Sequence, residues 1–151
     1  MKSTQSVYNT NHINLMISEL KNEEMYLAIT LLSKFYPNLD ENLLKSRLDD
    51  VSRLNWKCLG LFSNDKLIGL SGYWINTRIY CGKYLYIDHF IIDDSYRCKG
   101  SGAKLLNYLK ELAIANNCEQ VCLDTFVSNS LAQSFWSRHG FKIVGFHYVG
   151  Q

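Results

Sequence analysis

The sequence predicts an α/β (α+β) fold in which about six strands and about four helices surround one core. Three observations predict it. Between residues 57 and 92, three runs rich in apolar, β-branched and aromatic residues follow one another with short connections. On both sides of them lie stretches whose apolar residues recur at helical spacing. After the third run, helix and strand patterns alternate to the end of the chain. The length of 151 residues suits one domain. No repeat, linker or low-complexity segment interrupts it.

Ile13–Ile17 is a short apolar run that reads as a first strand. From Glu23 to Phe35 the residues Met25, Leu27, Ala28, Leu31, Leu32 and Phe35 keep a nearly helical period, and the single proline, Pro37, ends it. Asp40 to about Leu54 reads as a second helix, with Leu43, Leu44, Leu48 and Val51 on one side and acidic residues in its first turn, where they suit the dipole. Strands follow over Lys57–Phe62, Leu67 to about Ile79, and Tyr84–Ile92, divided by turns at Asn64-Asp65 and Cys81-Gly82. Short connections make an antiparallel meander the simplest arrangement. Gly102 to about Asn116 is an amphipathic helix with Leu105, Leu106, Leu109, Leu112 and Ala113 on one face. Gln120–Asp124 reads as a strand, and Ser128 as the N-cap of a helix reaching His139, with Gly140 at its C′ position. Phe141–Tyr148 is the expected final strand.

The composition is 47% hydrophobic and 20% charged, with a net charge of +2. Basic residues are dispersed and no two are adjacent, so nothing points to nucleic acid as a partner. No run approaches the roughly 18 apolar residues that span a bilayer. Residues 1–11 are polar and are expected to form a flexible tail, with a single domain over 12–151. No apolar segment of the secretory type precedes residue 13. Five cysteines, an odd number without a Cys-x-x-Cys pair, favour free thiols and a cytoplasmic setting. The histidines at 12, 89, 139 and 147 are scattered, so no metal site is expected.

The segment Arg97-Cys98-Lys99-Gly100-Ser101-Gly102 follows the longest strand pattern and opens the best helix pattern. A helix N-terminus leaves about four backbone N–H groups unpaired, and its dipole favours an anion. Glycines allow φ > 0 and close approach of a phosphate, and Arg97 and Lys99 add positive charge. Such a loop suits a diphosphate. The same letters also suit a simple strand-to-helix turn. The segment is neither a Walker loop, which ends in Gly-Lys-Ser/Thr, nor a dinucleotide fingerprint, which follows the first strand of a parallel unit.

Tyr86-Ile87-Asp88-His89-Phe90-Ile91-Ile92-Asp93-Asp94-Ser95-Tyr96-Arg97-Cys98-Lys99-Gly100-Ser101-Gly102 resembles the core motif of the GNAT superfamily of N-acetyltransferases, and so does Asn129-x-x-Ala132-x-x-Phe135-Trp136-x-x-x-Gly140-Phe141. The order of elements from about residue 12 is similar as well. The resemblance implies the acyl-CoA N-acyltransferase fold, with a mixed, mostly antiparallel sheet, and acetyl-CoA as cosubstrate without a metal. It implies that amides from Cys98 to Ala103, with Arg97, Lys99 and Lys104 nearby, hold the CoA pyrophosphate. By the same resemblance, the backbone of Phe90, Ile91 and Ile92 pairs with the pantetheine arm, Asn129 hydrogen-bonds the cosubstrate and Phe135 packs beside it. The strand of the motif and the strand after it splay apart, and a backbone N–H in the slot stabilises the oxyanion.

Acetyl transfer to an amine needs the nitrogen neutral, so a base is required. Asp88 and His89 lie on the motif strand near the splayed end, and relatives often carry a carboxylate at the position of Asp88. Successive strand residues face opposite sides, so both can serve only if a bulge intervenes. Trp136 stands where many relatives have a tyrosine that protonates the thiolate, and an indole N–H is no acid. The thiolate then leaves unassisted, or Tyr148 or Ser134 substitutes, or turnover is weak. Asp124 faces the acceptor channel or serves a turn, and the carboxylates of the second helix attract a cationic amine or are solvated. The resemblance implies transfer of acetyl to a primary amine of an unidentified acceptor by direct attack in a ternary complex; the acceptor is a small amine or a protein amine, and the motif strand Tyr86–Phe90 resembles small diamine acetyltransferases more than protein-modifying ones. The alternative is a non-catalytic acyl-CoA-binding or sensor module. A homodimer formed through the final strand is a further expectation.

Overall fold

The computed structural model describes residues 14–151; the expected tail over 1–11 and the first residue of the expected first strand lie outside them. The elements are β1 (Leu15–Glu19), α1 (Tyr26–Phe35), α2 (Glu41–Ser52), β2 (Trp56–Ser63), β3 (Lys66–Arg78), β4 (Gly82–Ile92), α3 (Ser101–Ala115), β5 (Gln120–Leu123) and α4 (Ser130–Arg138). Short 3-10 turns at Asn22–Glu24 and Asp94–Tyr96 complete the order. The expected helix over 23–35 is therefore divided into such a turn and α1. Phe35 ends α1 two residues before Pro37, as a proline's restriction of its neighbour requires.

The sheet runs β1-β2-β3-β4-β5, with β1 to β4 antiparallel and β5 parallel to β4. The meander is as expected, and α3 is the crossover that a parallel neighbour needs. Asn64 and Asp65 turn the β2–β3 hairpin with both residues at positive φ (48° and 64°), the conformation that matches strand twist. Gly140 closes α4 at φ 86°. Asn129, not Ser128, caps α4: its Oδ1 accepts from the Ala132 amide at 3.0 Å.

The expected sixth strand is absent among the described residues. Phe141 packs its ring on Trp136, with centroids 5.3 Å apart. Beyond it, residues 142–151 form no backbone ladder among the described residues. Strand-forming side chains are not sufficient where no neighbouring edge supplies backbone partners.

Side-chain alternation divides the strands between two cores. Cys58, Phe62, Leu70 and Ile91 pack with α1 and α2 around Ala28, Leu32, Leu44 and Leu48. Leu59, Leu61, Tyr73, Leu85, Ile87 and Ile92 pack with α3 and α4 around Leu105, Leu106, Leu109 and Trp136. In β4 the alternation breaks once. Leu85 and Ile87 face the α3 side, yet so does Ile92, while Ile91 faces the α1 side. The register explains this: Asp88 pairs with Gly72 and Ile91 with Leu70, so His89 and Phe90 together oppose Ser71. This is a β-bulge, and His89 carries its strain at φ 53°.

After β4, Asp93 anchors the chain to the first helical layer. Its Oδ2 lies 2.8 Å from Lys34 Nζ on α1, and its Oδ1 accepts from the Ser95 amide at 3.1 Å. These contacts, led by Lys34, hold the carboxyl below its ordinary range. Stability from a depressed carboxyl is present above the unfolded value of about 3.9 and is lost as pH falls through the folded one. Asp93→Ala is expected to destabilise the protein by about 1–2 kcal/mol near neutral pH, the scale of a lost cap. The deficit should shrink below about pH 4, as compared by urea unfolding of variant and wild type at both pH values.

Candidate active site

The bulge resolves the problem of the two neighbouring polar residues. Because β4 gains a residue there, Asp88 and His89 come together: His89 Nε2 lies 3.3 Å from Asp88 Oδ1. The other His89 nitrogen, Nδ1, lies 2.8 Å from the hydroxyl of Tyr36, the C-cap of α1. Trp74 Nε1 donates to Asp88 Oδ2 at 3.2 Å from β3. Burial, reinforced by the Asp88 charge, raises the Tyr36 pKa and keeps the phenol protonated. The Tyr36 hydroxyl and His89 Nδ1 form a hydrogen bond whose direction follows the imidazole tautomer. Asp88 Oδ2 has one hydrogen-bond donor, Trp74, while Oδ1 faces the His89 ring without a hydrogen bond to it. Both Asp88 and His89 remain partly exposed to solvent.

β4 and β5 stay paired only from Tyr84↔Gln120 to Ile87↔Leu123. From Asp88 onward the side of β4 that faced β5 has no strand partner among the described residues. The expected slot therefore opens at the bulge. Phe90, Ile91 and Ile92 lie along it, and Phe90 packs its ring on Trp136 and Phe135 at 5.0 and 5.7 Å. Trp136 is 8% exposed inside this ring cluster. Ser134 and Tyr148 are both exposed.

The segment from Arg97 to Gly102 turns into the start of α3. Gly100 precedes α3 at φ 82°, a conformation costly for most residues, and Cys98 shares it at 58°. A Cβ at Gly100 would touch nothing within 4 Å, so its surface is open. The first amide of α3 with a backbone acceptor is Lys104, to Gly100 O at 3.0 Å. Amides of residues 98 to 103 have no acceptor among the described residues. Unpaired donors at the end of a fifteen-residue helix fit a pyrophosphate. Phe135 packs close to this turn: a Cβ on Gly102 would lie 3.2 Å from its ring.

The cations of the loop are held locally. Arg97 donates from Nε to Ile92 O at 3.1 Å and pairs with Asp94 at 2.8 Å. Lys99 Nζ donates to Ser95 O at 2.9 Å. Lys104 Nζ reaches away to Leu15 O at 2.8 Å on β1. Asn129 uses its oxygen as the α4 cap, which leaves its amide nitrogen for a ligand. The loop's capacity for an anion therefore rests first on its backbone. Cys98 is an exposed free thiol.

Four participants were not legible as site residues. Tyr36 and Trp74 are far from Asp88 in sequence, and no local pattern marks them. Tyr86 lies beside Asp124, and burial followed by that charge raises its hydroxyl pKa. His147 Nδ1 lies 2.7 Å from Asp124 Oδ2, so Asp124 faces other polar groups at the end of β5. On α2, Asp40 caps the Asn42 amide at 2.8 Å and Glu41 pairs with Lys45 at 2.7 Å, so both serve the helix itself. Among the described residues no helix is long and apolar enough to cross a membrane, and no cluster of metal-binding side chains occurs.

Comparison with known proteins agrees with this geometry. The profile of the Acetyltransferase (GNAT) family matches residues 22–141. The chain is 29% identical over 109 residues to a spermine/spermidine N(1)-acetyltransferase of Bacillus subtilis strain 168, covering 65% of this chain and 68% of that one. Its fold is similar to that of an aminoglycoside N-acetyltransferase, AAC(6')-Iy, solved in complex with CoA. That likeness has a TM-score of 0.80 at 12% identity over 91% of this chain and 94% of that one. An integron cassette protein from the mobile metagenome of V. cholerae is similar at a TM-score of 0.80 and 20% identity, over 91% and 92% of the two chains. The splayed β4–β5 pair, the amide-lined loop before α3 and the family match over most of the chain lead to one conclusion: this protein belongs to the GNAT family of acetyltransferases.

Proposed function

We propose that the protein transfers the acetyl group of acetyl-CoA to a primary amine of a small molecule, by direct attack in a ternary complex. The observation that carries this reading is the β4 bulge, which turns Asp88 and His89 toward one place where the sheet opens. Unpaired amides of residues 98–103 bind the pyrophosphate, and the unpaired backbone of Phe90–Ile92 receives the pantetheine arm. Asn129 can add a bond through its amide nitrogen, and Phe135 supplies a wall.

In this reading the amine nitrogen attacks the thioester carbonyl carbon. The new C–N bond forms, the C–S bond breaks, and the electron pair leaves on sulfur. A backbone N–H at the opening bonds the oxygen while it is negative. Asp88 takes the proton that the amine loses, directly or through water, and passes it to solvent. His89, held by Tyr36, fixes the carboxylate rather than acting as the base. The thiolate leaves without a protein acid: a thiol pKa of about 8.5 makes it a fair leaving group. Trp136 is packed among rings, and no side chain need replace the tyrosine of relatives. The relation to a spermine/spermidine acetyltransferase supports a small cationic acceptor. The partly exposed Asp88, with Asp124 near the same end of the sheet, suits such a cation.

The test is release of thiol from acetyl-CoA over a panel of amines, including polyamines. Turnover on at least one is expected; tight CoA binding with no thiol release on any would favour a sensor module instead. Asp88→Asn should lower kcat/KM by about 10²-fold or more and leave the CoA Kd unchanged. Unchanged turnover in that variant would remove Asp88 from the chemistry. Gly100→Asp provides a separate check on the loop. Its side chain enters open space, aspartate tolerates positive φ, and a carboxylate favours the helix start. The variant is expected to keep its melting temperature within a few degrees and to bind CoA at least about tenfold more weakly by calorimetry.

A further inference from the structure

Asp88 shares its face of the sheet with two tryptophans whose indole N–H groups meet different fates. Trp56 of β2 and Trp74 of β3 are register partners, and both pack with the core formed against α1 and α2. Gly72, the β3 residue opposite Asp88, has no side chain, and the indole of Trp56 covers it: a Cβ there would lie 2.5 Å from that ring. Trp56 Nε1 is buried without an acceptor among the described residues, so this tryptophan serves the core through its ring. Trp74 stands two residues further along β3, opposite Tyr86. A diagonal neighbour on the next strand is within reach of an aromatic side chain, and Trp74 Nε1 donates to Asp88 Oδ2 at 3.2 Å. It is the one side-chain hydrogen bond of Asp88 among the described residues. Tyr36, the nearby phenol, is engaged with His89 instead.

From this we infer that Trp74 is the positioning residue for Asp88 in the acetyl transfer proposed above, on which this role rests: its N–H fixes the plane of the carboxylate and leaves Oδ1 to take the amine proton. The terminal torsion of an aspartate is broad and two-fold, so its two oxygens are equivalent until a donor marks one of them. An indole N–H only donates, which keeps Oδ2 an acceptor throughout. A hydrogen bond to an ionised oxygen is also of the stronger kind. Oδ1 faces His89 Nε2 at 3.3 Å without a hydrogen bond to it, so it has free capacity. In the step itself an N–H bond of the ammonium breaks and its electron pair stays on nitrogen for attack on the thioester carbon. The proton forms an O–H bond at Oδ1. A lysine or arginine could hold Oδ2 equally well, but its charge would oppose the arrival of a cationic amine. The neutral indole holds the carboxylate without that repulsion.

Two kinetic measurements and one spectroscopic measurement on the full chain test this role. Trp74→Phe keeps a ring and removes the donor. It is expected to lower kcat about tenfold or more while KM for the amine stays within about twofold, because the bond matters while the proton moves. An unchanged kcat, or a loss confined to KM, would overturn the inference. In an Asp88→Ala background the same substitution should alter the residual rate by less than about twofold, since the group it acts through is gone. An additive loss there would assign Trp74 to structure alone. The third readout needs neither turnover nor a folded Trp74 variant. In the NMR spectrum of Asp88→Ala the indole N–H resonance of Trp74 should move upfield as its acceptor is lost, while those of Trp56 and Trp136 keep their positions. A Trp74 resonance that stays in place would also overturn the inference. A wild type inactive on every amine contradicts the proposed transfer itself. A wild type that turns over, combined with any of the failures above, contradicts the role of Trp74 alone.

Discussion

The site depends on one extra residue in β4. A strand of regular pleat would place Asp88 and His89 on opposite faces and would keep β4 in register with both neighbours. With His89 and Phe90 together opposite Ser71, the strand bends and its later side chains change faces. Three consequences follow from that single irregularity. Asp88 and His89 meet, Ile91 passes to the α1 core and Ile92 to the α3 core, and pairing to β5 stops at Ile87. The positive φ of His89 is a local cost, and both cores hold it in place by burying the residues beyond it.

The second constraint is the start of α3. Backbone amides need partners, and a buried helix start without them would be unstable. Here the amides without protein acceptors belong to a turn whose residues 98–100 are exposed, where solvent or a ligand can reach them. The side chains of Arg97, Lys99 and Lys104 bind carbonyls or a carboxylate of the protein rather than standing over the loop. A phosphate bound there would therefore meet mainly fixed dipoles, which need no side-chain ordering. The chain from the bulge to α3 is short, and the Asp93–Lys34 pair ties it to α1, so loop and cleft keep a fixed relation.

Much of this was legible in the residues. The periods at 57–92 and 102–116 mark the meander and α3 because each element buries one face, and burial writes its period into the sequence. The loop was legible because a glycine pair stands between a strand and a helix. Other features were not. The bulge leaves no compositional mark: Tyr84–Ile92 reads as an unbroken strand, and only the pairing with β3 reveals the inserted residue. Tyr36 and Trp74 reach Asp88 through tertiary packing, which no local window contains. Residues 141–148 read as a strand from side chains alone, but a ladder needs a second backbone, and none of the described residues supplies it. The N-cap was misplaced by one residue because Ser128 and Asn129 are both good caps, and only geometry selects between them.

In the proposed mechanism, acceptor, base and thioester meet at the bulge. A crystal structure of the protein with a non-hydrolysable acetyl-CoA analogue tests it most directly. The pyrophosphate is expected against the amides of residues 98–103, the pantetheine arm along Phe90–Ile92, and the acyl carbonyl within reach of an amine lying against Asp88. An analogue seated elsewhere, or an acyl group on the face of the sheet away from Asp88, would contradict it.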